Sequence, residues 1–148
     1  MALNDTIGSV LEAKDRKIWA VTPDTSVYDA LCVMAEQDIG AVLVMQGERL
    51  CGVLSERDYA RKVILTGKSS RETEVAEIMS EPGVVTRGTT VDDCMREMTG
   101  TRVRHVVVMD NTRVTGVISI GDLVNWVISQ QERTINDLHA YVAGSYPG

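Results

Sequence analysis

Two heptapeptides in this chain carry the residue types of an anion and diol site. They are Gly52-Val53-Leu54-Ser55-Glu56-Arg57-Asp58 and Gly116-Val117-Ile118-Ser119-Ile120-Gly121-Asp122. Both fit Gly-apolar-apolar-Ser-x-x-Asp, which reads as the end of a strand followed by the start of a helix. A serine there can cap the helix and turn its hydroxyl to an anion, while the first helical turn offers unpaired N–H groups and the positive end of the dipole to phosphate. An aspartate in that turn can accept two hydrogen bonds from a vicinal diol such as that of ribose. Glycine, lacking a Cβ, lets a ligand come close to the backbone. One Ser-x-x-Asp alone reads first as a capping box, in which side chain and backbone satisfy each other. Two copies in register, each after an apolar strand, favour a ligand site.

The register extends well beyond the motifs. Residues 21–64 laid on residues 85–128 need no gap, and 16 of 44 positions are identical. They are the pairs at 21/85, 22/86, 25/89, 27/91, 29/93, 34/98, 42/106, 44/108, 45/109, 49/113, 52/116, 53/117, 55/119, 58/122, 63/127 and 64/128. Internal repetition of this kind fixes the architecture before any local reading. Each copy reads strand, helix, strand, strand, helix.

In the first copy Trp19–Thr22 is a short strand, and Ser26 with Asp29 opens a helix whose apolar face is Val27, Ala30, Leu31 and Met34. Ala41–Met45 is a continuous apolar run, a strand covered on both faces. Gln46-Gly47-Glu48 turns the chain into Arg49–Leu54, and a helix runs from Glu56 to about Leu65. The second copy repeats this with Val84–Thr86, the cap Thr90, the face Val91, Cys94, Met95 and Met98, the strands Val106–Met109 and Arg113–Ile118, and a helix starting near Asp122. The polar stretch Thr66–Thr73 is a linker. The expected division is 1–66 for the N-terminal segment and first repeat, 67–74 for the linker, 75–130 for the second repeat and 131–148 for a helical tail. Ile7, Val10 and Leu11 at one end, and Ile135, Leu138 and Val142 at the other, keep helical spacing and suit either the core or a second subunit.

Composition narrows the function classes. The 148 residues carry a net charge of −6, which argues against nucleic acid, whose binding rests on Lys and Arg neutralising phosphates, and against an anionic membrane surface. No apolar run approaches the roughly 20 residues of a membrane span, and the N-terminus has no signal-peptide pattern. Cys32, Cys51 and Cys94 are odd in number and form no CxxC, which fits reduced thiols in the cytoplasm. His105 and His139, the only histidines, have no metal-ligand spacing, so no metal site is expected. The sequence offers no nucleophile–His–acid set and no phosphate-binding glycine loop of an enzyme.

With Val75-Ala76-Glu77-Ile78-Met79 and Arg102-Val103-Arg104-His105 before a valine strand, the two motifs make the chain resemble a tandem pair of CBS domains, a Bateman module. The likeness covers roughly residues 10–130. The stretch Ser55–Lys62 resembles small stand-alone bacterial members. The resemblance implies an α/β (α+β) fold of two pseudo-symmetric β-α-β-β-α repeats packed sheet to sheet, with extra N- and C-terminal helices. It implies a non-enzymatic regulatory module that binds AMP, ADP, ATP, NAD(H) or S-adenosylmethionine between the repeats, with no catalytic cofactor. Asp58 and Asp122 would hold ribose, and Ser55 and Ser119 would lie near phosphate. Adenine would enter beside the first strands, at Ile18, Thr22 and Pro23 in one cleft and at Met79 and Thr86 in the other. Arg104 and His105 stand where some members hold phosphate. A homodimer through the repeat helices and a separate regulated protein are the implied partners. A nucleotide-processing enzyme and a ligand-free assembly protein are the alternatives.

The copies differ where phosphate is handled. Arg104-His105 aligns with Gly40-Ala41, and Arg57 aligns with Gly121. Arg57, Arg61 and Lys62 form a basic rim on one helix. Two unequal clefts are expected.

Overall fold

The computed structural model describes residues 2–14 and 17–142, with side chains as far as His139. The first repeat comprises β1 (Ala20–Val21), α2 (Val27–Gln37), β2 (Ala41–Gln46), β3 (Arg49–Ser55) and α3 (Glu56–Tyr59), with α1 (Ile7–Ala13) ahead of it. The second comprises β4 (Gly83–Val85), α5 (Val91–Thr101), β5 (His105–Asp110), β6 (Arg113–Ser119) and α6 (Ile120–Val142), with α4 (Val75–Ile78) ahead of it. Each repeat makes one three-stranded sheet, ordered β1-β2-β3 and β4-β5-β6, in which the first pair is parallel and the second antiparallel. Register is conserved between them: Ala41 faces Ser55 as His105 faces Ser119, and both hairpins carry an irregularity after the fourth residue of valine-rich β2 or β5, at Val44/Met45 and Val108/Met109.

The helices start where the capping residues stand. Ser26 and Thr90 accept hydrogen bonds from the amides of Asp29 and Asp93, each at 3.1 Å. Both helices end on a left-handed residue, Asp38 (φ 53°) and Arg102 (φ 57°), which turns the chain sharply toward the next strand.

The two halves exchange helices. α4 immediately precedes the second repeat, yet Val75 and Ile78 are buried among Val27, Met34, Val44 and Leu54 of the first. α1 precedes the first repeat, yet Ile7, Val10 and Leu11 are buried with Val91, Met98, Val108 and Ile118 of the second. Backbone bonds stitch each exchange: the Ile7 amide to the Thr89 carbonyl and the Val75 amide to the Thr25 carbonyl, both 2.8 Å. The motif glycines belong to this exchange. A Cβ on Gly52 would lie 2.8 Å from the Met79 sulfur, and one on Gly116 would overlap the Leu11 side chain. The close approach expected of a ligand is made here by side chains of the exchanged helices.

Two helices depart from their sequence reading. α3 gives way after one turn to a π-helix, Ala60–Ile64, closed by the Leu65 amide on the Ala60 carbonyl at 3.2 Å. In this wider turn Val63 is buried while Lys62 reaches back to Asp58. The tail expected at 131–148 is continuous with the second repeat as far as Val142, because no proline or glycine interrupts α6 after Gly121. Leu123 anchors α6 in the core, and the Trp126 indole donates to Asp5 at 3.0 Å. The side chain of Val142 lies outside the described residues.

If α1 is structural, Leu11→Ala, at a site 1 % exposed, lowers unfolding free energy by about 2–5 kcal/mol in urea titration. Hydrogen exchange of the variant then opens the β4–β6 amides. A loss below about 0.5 kcal/mol would make α1 a mere appendage.

Candidate functional site

Both Ser-x-x-Asp segments form the capping arrangement their spacing allows. Ser55 accepts from the Asp58 amide at 3.1 Å, and Asp58 Oδ2 accepts from the Ser55 amide and hydroxyl, both at 3.0 Å. Ser119 accepts from the Asp122 amide at 3.1 Å, and Asp122 Oδ2 accepts from the Ser119 amide at 2.8 Å. Each carboxylate also meets a lysine. Lys62 Nζ lies 3.2 Å from Asp58 Oδ1, and Lys14 Nζ donates to Asp122 Oδ2 at 2.7 Å. The lysines have unrelated origins: Lys62 is one helical turn beyond Asp58, and Lys14 follows the exchanged α1.

The two aspartates differ in what they leave open. Asp58 is 8 % exposed, and its Oδ1 also accepts from the Ser80 hydroxyl at 2.6 Å, so both oxygens are engaged. Lys62 is anchored besides on the Ile78 carbonyl and Ser80 Oγ, each at 3.0 Å. Asp122 spends only Oδ2, and its Oδ1 has no hydrogen bond among the described residues. Burial opposes ionisation of Asp58, but hydrogen bonds from Ser80, Ser55 and Lys62 outweigh it and hold the carboxyl below its ordinary value. For Asp122 burial is likewise outweighed, by Lys14 and Ser119.

Around these groups lie two clefts related by the pseudo-twofold. The first, about 290 Å³, sets Ser119 and Asp122 of the second repeat against Lys14, Trp19 and the Asp38–Gly40 turn of the chain's first half. The second, about 970 Å³, sets Ser55, Arg57 and Asp58 of the first repeat against Ser80–Gly83 and the Arg102–His105 turn of the second. Their volumes lie near the lower and upper ends of the ordinary range of small-molecule sites. His105 lines both, its imidazole lying over Gly40, where a Cβ would be 3.6 Å from the ring. Burial lowers the His105 pKa; the pull of Asp122 and Glu56 upward does not offset burial together with Lys14 and Arg104.

The exchange decides which predicted residues meet. Arg104 and His105 share the second cleft with Arg57, so the two basic features expected to distinguish separate clefts converge on one. Ile18, Thr22, Pro23, Met79 and Thr86 are not among the wall residues of either cleft. Met79 packs over Gly52, Thr22 and Thr86 are tied into turns by Thr25 and Thr89, and the Pro23 carbonyl receives the Ala76 amide at 3.0 Å. The entries beside the first strands are formed at their N-terminal ends, by Trp19 and by Ser80–Gly83. Lys14 and Ser80 carried no signal, since nothing in their spacing ties them to aspartates 108 and 22 positions away.

The CBS domain matches the chain twice, at residues 9–65 and 75–129. The chain belongs to the CBS-domain family. Among curated relatives it is 38 % identical over 152 residues to the mitochondrial CBS domain-containing protein CBSX3 of Arabidopsis thaliana, covering 95 % of this chain and 73 % of that one. Among solved structures it is similar to a CBS-domain protein from Burkholderia ambifaria MC40-6, a candidate signal-transduction protein. That match has 46 % identity and a TM-score of 0.83, and covers 85 % of this chain and 96 % of the other. The fold is shared with CBSX2 crystallised in complex with AMP, at 23 % identity and a TM-score of 0.70, over 86 % of this chain and 98 % of that one. No helix among the described residues is long and apolar enough to cross a membrane. Cys94 is buried, and burial with nearby Glu97 pushes its thiol up to about 11, which keeps it protonated and unreactive.

The depressed pKa values set the acid limb of stability. Asp58 and Asp122 titrate lower folded than unfolded, so their contribution is present above about pH 4 and is lost as pH falls through the folded values. His105, also depressed, contributes fully above about pH 6.5 and loses that contribution as pH falls toward its folded value. In melting curves across pH, Asp122→Asn therefore flattens the limb below about pH 4, and His105→Gln flattens the stretch just below about pH 6.5. Identical pH profiles for wild type and both variants would contradict the assigned environments.

Proposed function

We propose that this protein is a non-enzymatic sensor that binds adenine nucleotide in the clefts between its CBS repeats. The observation carrying this reading is the composition of each cleft: a Ser-x-x-Asp helix start from one repeat faces the strand entry and helix–strand turn of the other. A ligand seated there touches both repeats at once. Its binding energy therefore depends on how the repeats sit, which is the condition for shifting a conformational equilibrium. The AMP-bound CBSX2, with the same fold, supports an adenosine monophosphate as the first ligand to try; ADP, ATP and NAD(H) are the further candidates. In the first cleft the open Oδ1 of Asp122 accepts a ribose hydroxyl and Trp19 supplies an aromatic wall. In the second, Asp58 accepts ribose once Ser80 and Lys62 give way.

The readout is a change in a partner. One partner is a second copy. Ile64 and Ile128, identical in the repeat alignment, are exposed at 56 % and 47 %, and Leu65, Ile135 and Leu138 extend the apolar surface. Homodimerisation covers such helices, and a separate regulated protein reads the ligand state of the assembly. Light scattering of the wild type gives a dimer mass, and Ile64→Glu with Ile128→Glu gives the monomer.

Thermal-shift measurement with AMP, ADP, ATP, NAD and NADH tests the ligand reading, since whatever binds the native state raises its melting temperature. Asp122→Ala removes a charge-assisted hydrogen bond worth ~1.5–3 kcal/mol and weakens the binding nucleotide by roughly 10- to 150-fold. A screen in which no nucleotide moves the melting temperature rejects the sensor. Nucleotide consumed during incubation replaces it with an enzyme.

A further inference from the structure

The second cleft gathers more cationic side chains than the first. Its walls hold Arg57, Arg61, Lys62, Arg102 and Arg104 against the carboxylates of Glu56, Asp58 and Glu81. The first cleft balances Lys14 and Lys17 against Asp38 and Asp122. This excess of two cations stands in a chain whose net charge is −6, so the cationic groups are gathered locally rather than drawn from a basic surface.

The geometry of those cations is specific. Arg57 Nη1 donates to the Arg102 carbonyl at 2.9 Å, which ties the motif of one repeat to the α5–β5 turn of the other across the cleft. Lys62 is spent on Asp58, Ser80 and Ile78. The side chains of Arg61 and Arg104 make no hydrogen bond or ion pair among the described residues, and both residues are exposed. Arg61 stands on the first repeat and Arg104 on the second, with a space of about 970 Å³ between the walls. Two unspent guanidiniums lining one roomy cleft, one from each repeat, suit an anion long enough to reach both. Each fork can take a separate phosphate in paired hydrogen bonds.

Resting on the sensor reading above, we infer that the second cleft selects its nucleotide by phosphate-chain length, holding two or more phosphates between Arg61 and Arg104. The first cleft, about a third of that volume and balanced in charge, makes no such selection.

Calorimetry on the full chain with AMP, ADP, ATP and inorganic tripolyphosphate tests this, with Arg61→Gln/Arg104→Gln and Asp122→Ala as variants. Both arginines are exposed and their side chains unbonded among the described residues, so the double variant should retain the wild-type melting temperature, which is measured first. In the wild type one site binds ATP roughly tenfold or more tighter than AMP, with ADP between them. The double variant loses that preference and leaves the other site unchanged, whereas Asp122→Ala weakens only the other site. AMP and ATP binding equally in the wild type, or a double variant that keeps the ATP preference, overturns the inference and leaves the sensor reading standing. Tripolyphosphate binding as tightly as ATP also overturns it, because the site would then take an inorganic polyanion. Failure of every adenine nucleotide to bind overturns the sensor reading and this inference with it.

Discussion

The structure depends on the exchange of α1 and α4 between repeats. Each repeat of about sixty residues is near the size at which an isolated unit buries too little surface to be secure. Here neither has to stand alone, since each core is completed by the helix that introduces the other. The contact is tight enough to dictate sequence. Leu11 over Gly116 and Met79 over Gly52 leave no room for a Cβ. The motif glycine, which reads as a ligand-approach device, is thus first a packing requirement. The same exchange carries Lys14 to Asp122 and Ser80 to Asp58, so the cleft chemistry inherits its geometry from the core.

The aspartates show how one residue type serves stability and binding together. As capping-box partners they satisfy amides that would otherwise go unpaired at a helix start. As partly buried carboxylates they need compensating charge, and each has a lysine. A capping oxygen facing the serine amide and a second oxygen facing the cleft are compatible duties, because a carboxylate has roughly four acceptor sites. The choice between capping box and ligand site posed by the sequence is therefore not exclusive. What separates the two clefts is the second oxygen: unbonded among the described residues in Asp122, held by Ser80 and Lys62 in Asp58. A ligand that displaces these partners must replace their hydrogen bonds, so the two clefts ask different things of a similar diol.

Most of the fold was legible because the repeat made every local reading twice. Alternating cap, apolar face, valine run and hairpin fixed the order of elements, and the structure keeps the registers at the same 64-residue offset, from Ala41/Ser55 to His105/Ser119. What the sequence hid was which copy faces which. Hydrophobic spacing marks Ile7, Val10 and Leu11 as a helix face but says nothing of the core that receives it. The π-turn at Ala60–Ile64 was equally hidden, since the widened ladder reconciles a buried Val63 with a cleft-facing Lys62 only in three dimensions. The site was legible in its motif residues, whose roles follow from short-range capping. It was not legible in Lys14, Ser80 or the fate of Met79, whose partners lie across the exchange.

The exchange also explains why the imperfections of the repeat fall together. In a simple side-by-side duplication Arg57 and Arg104 would belong to different sites, because they lie in different copies. Crossing the halves puts the motif of one repeat against the α–β turn of the other, so two differences that look independent along the chain share one wall pair. Their equivalents in the repeat alignment, Gly121 and Gly40, are small and uncharged. Both substitutions thus move charge in the same direction across a single axis. His105 lies over Gly40, in contact with both clefts, where burial lowers its pKa. The molecule is nearly symmetric in backbone and sharply asymmetric in field, and two clefts built by one fold need not answer to the same anion.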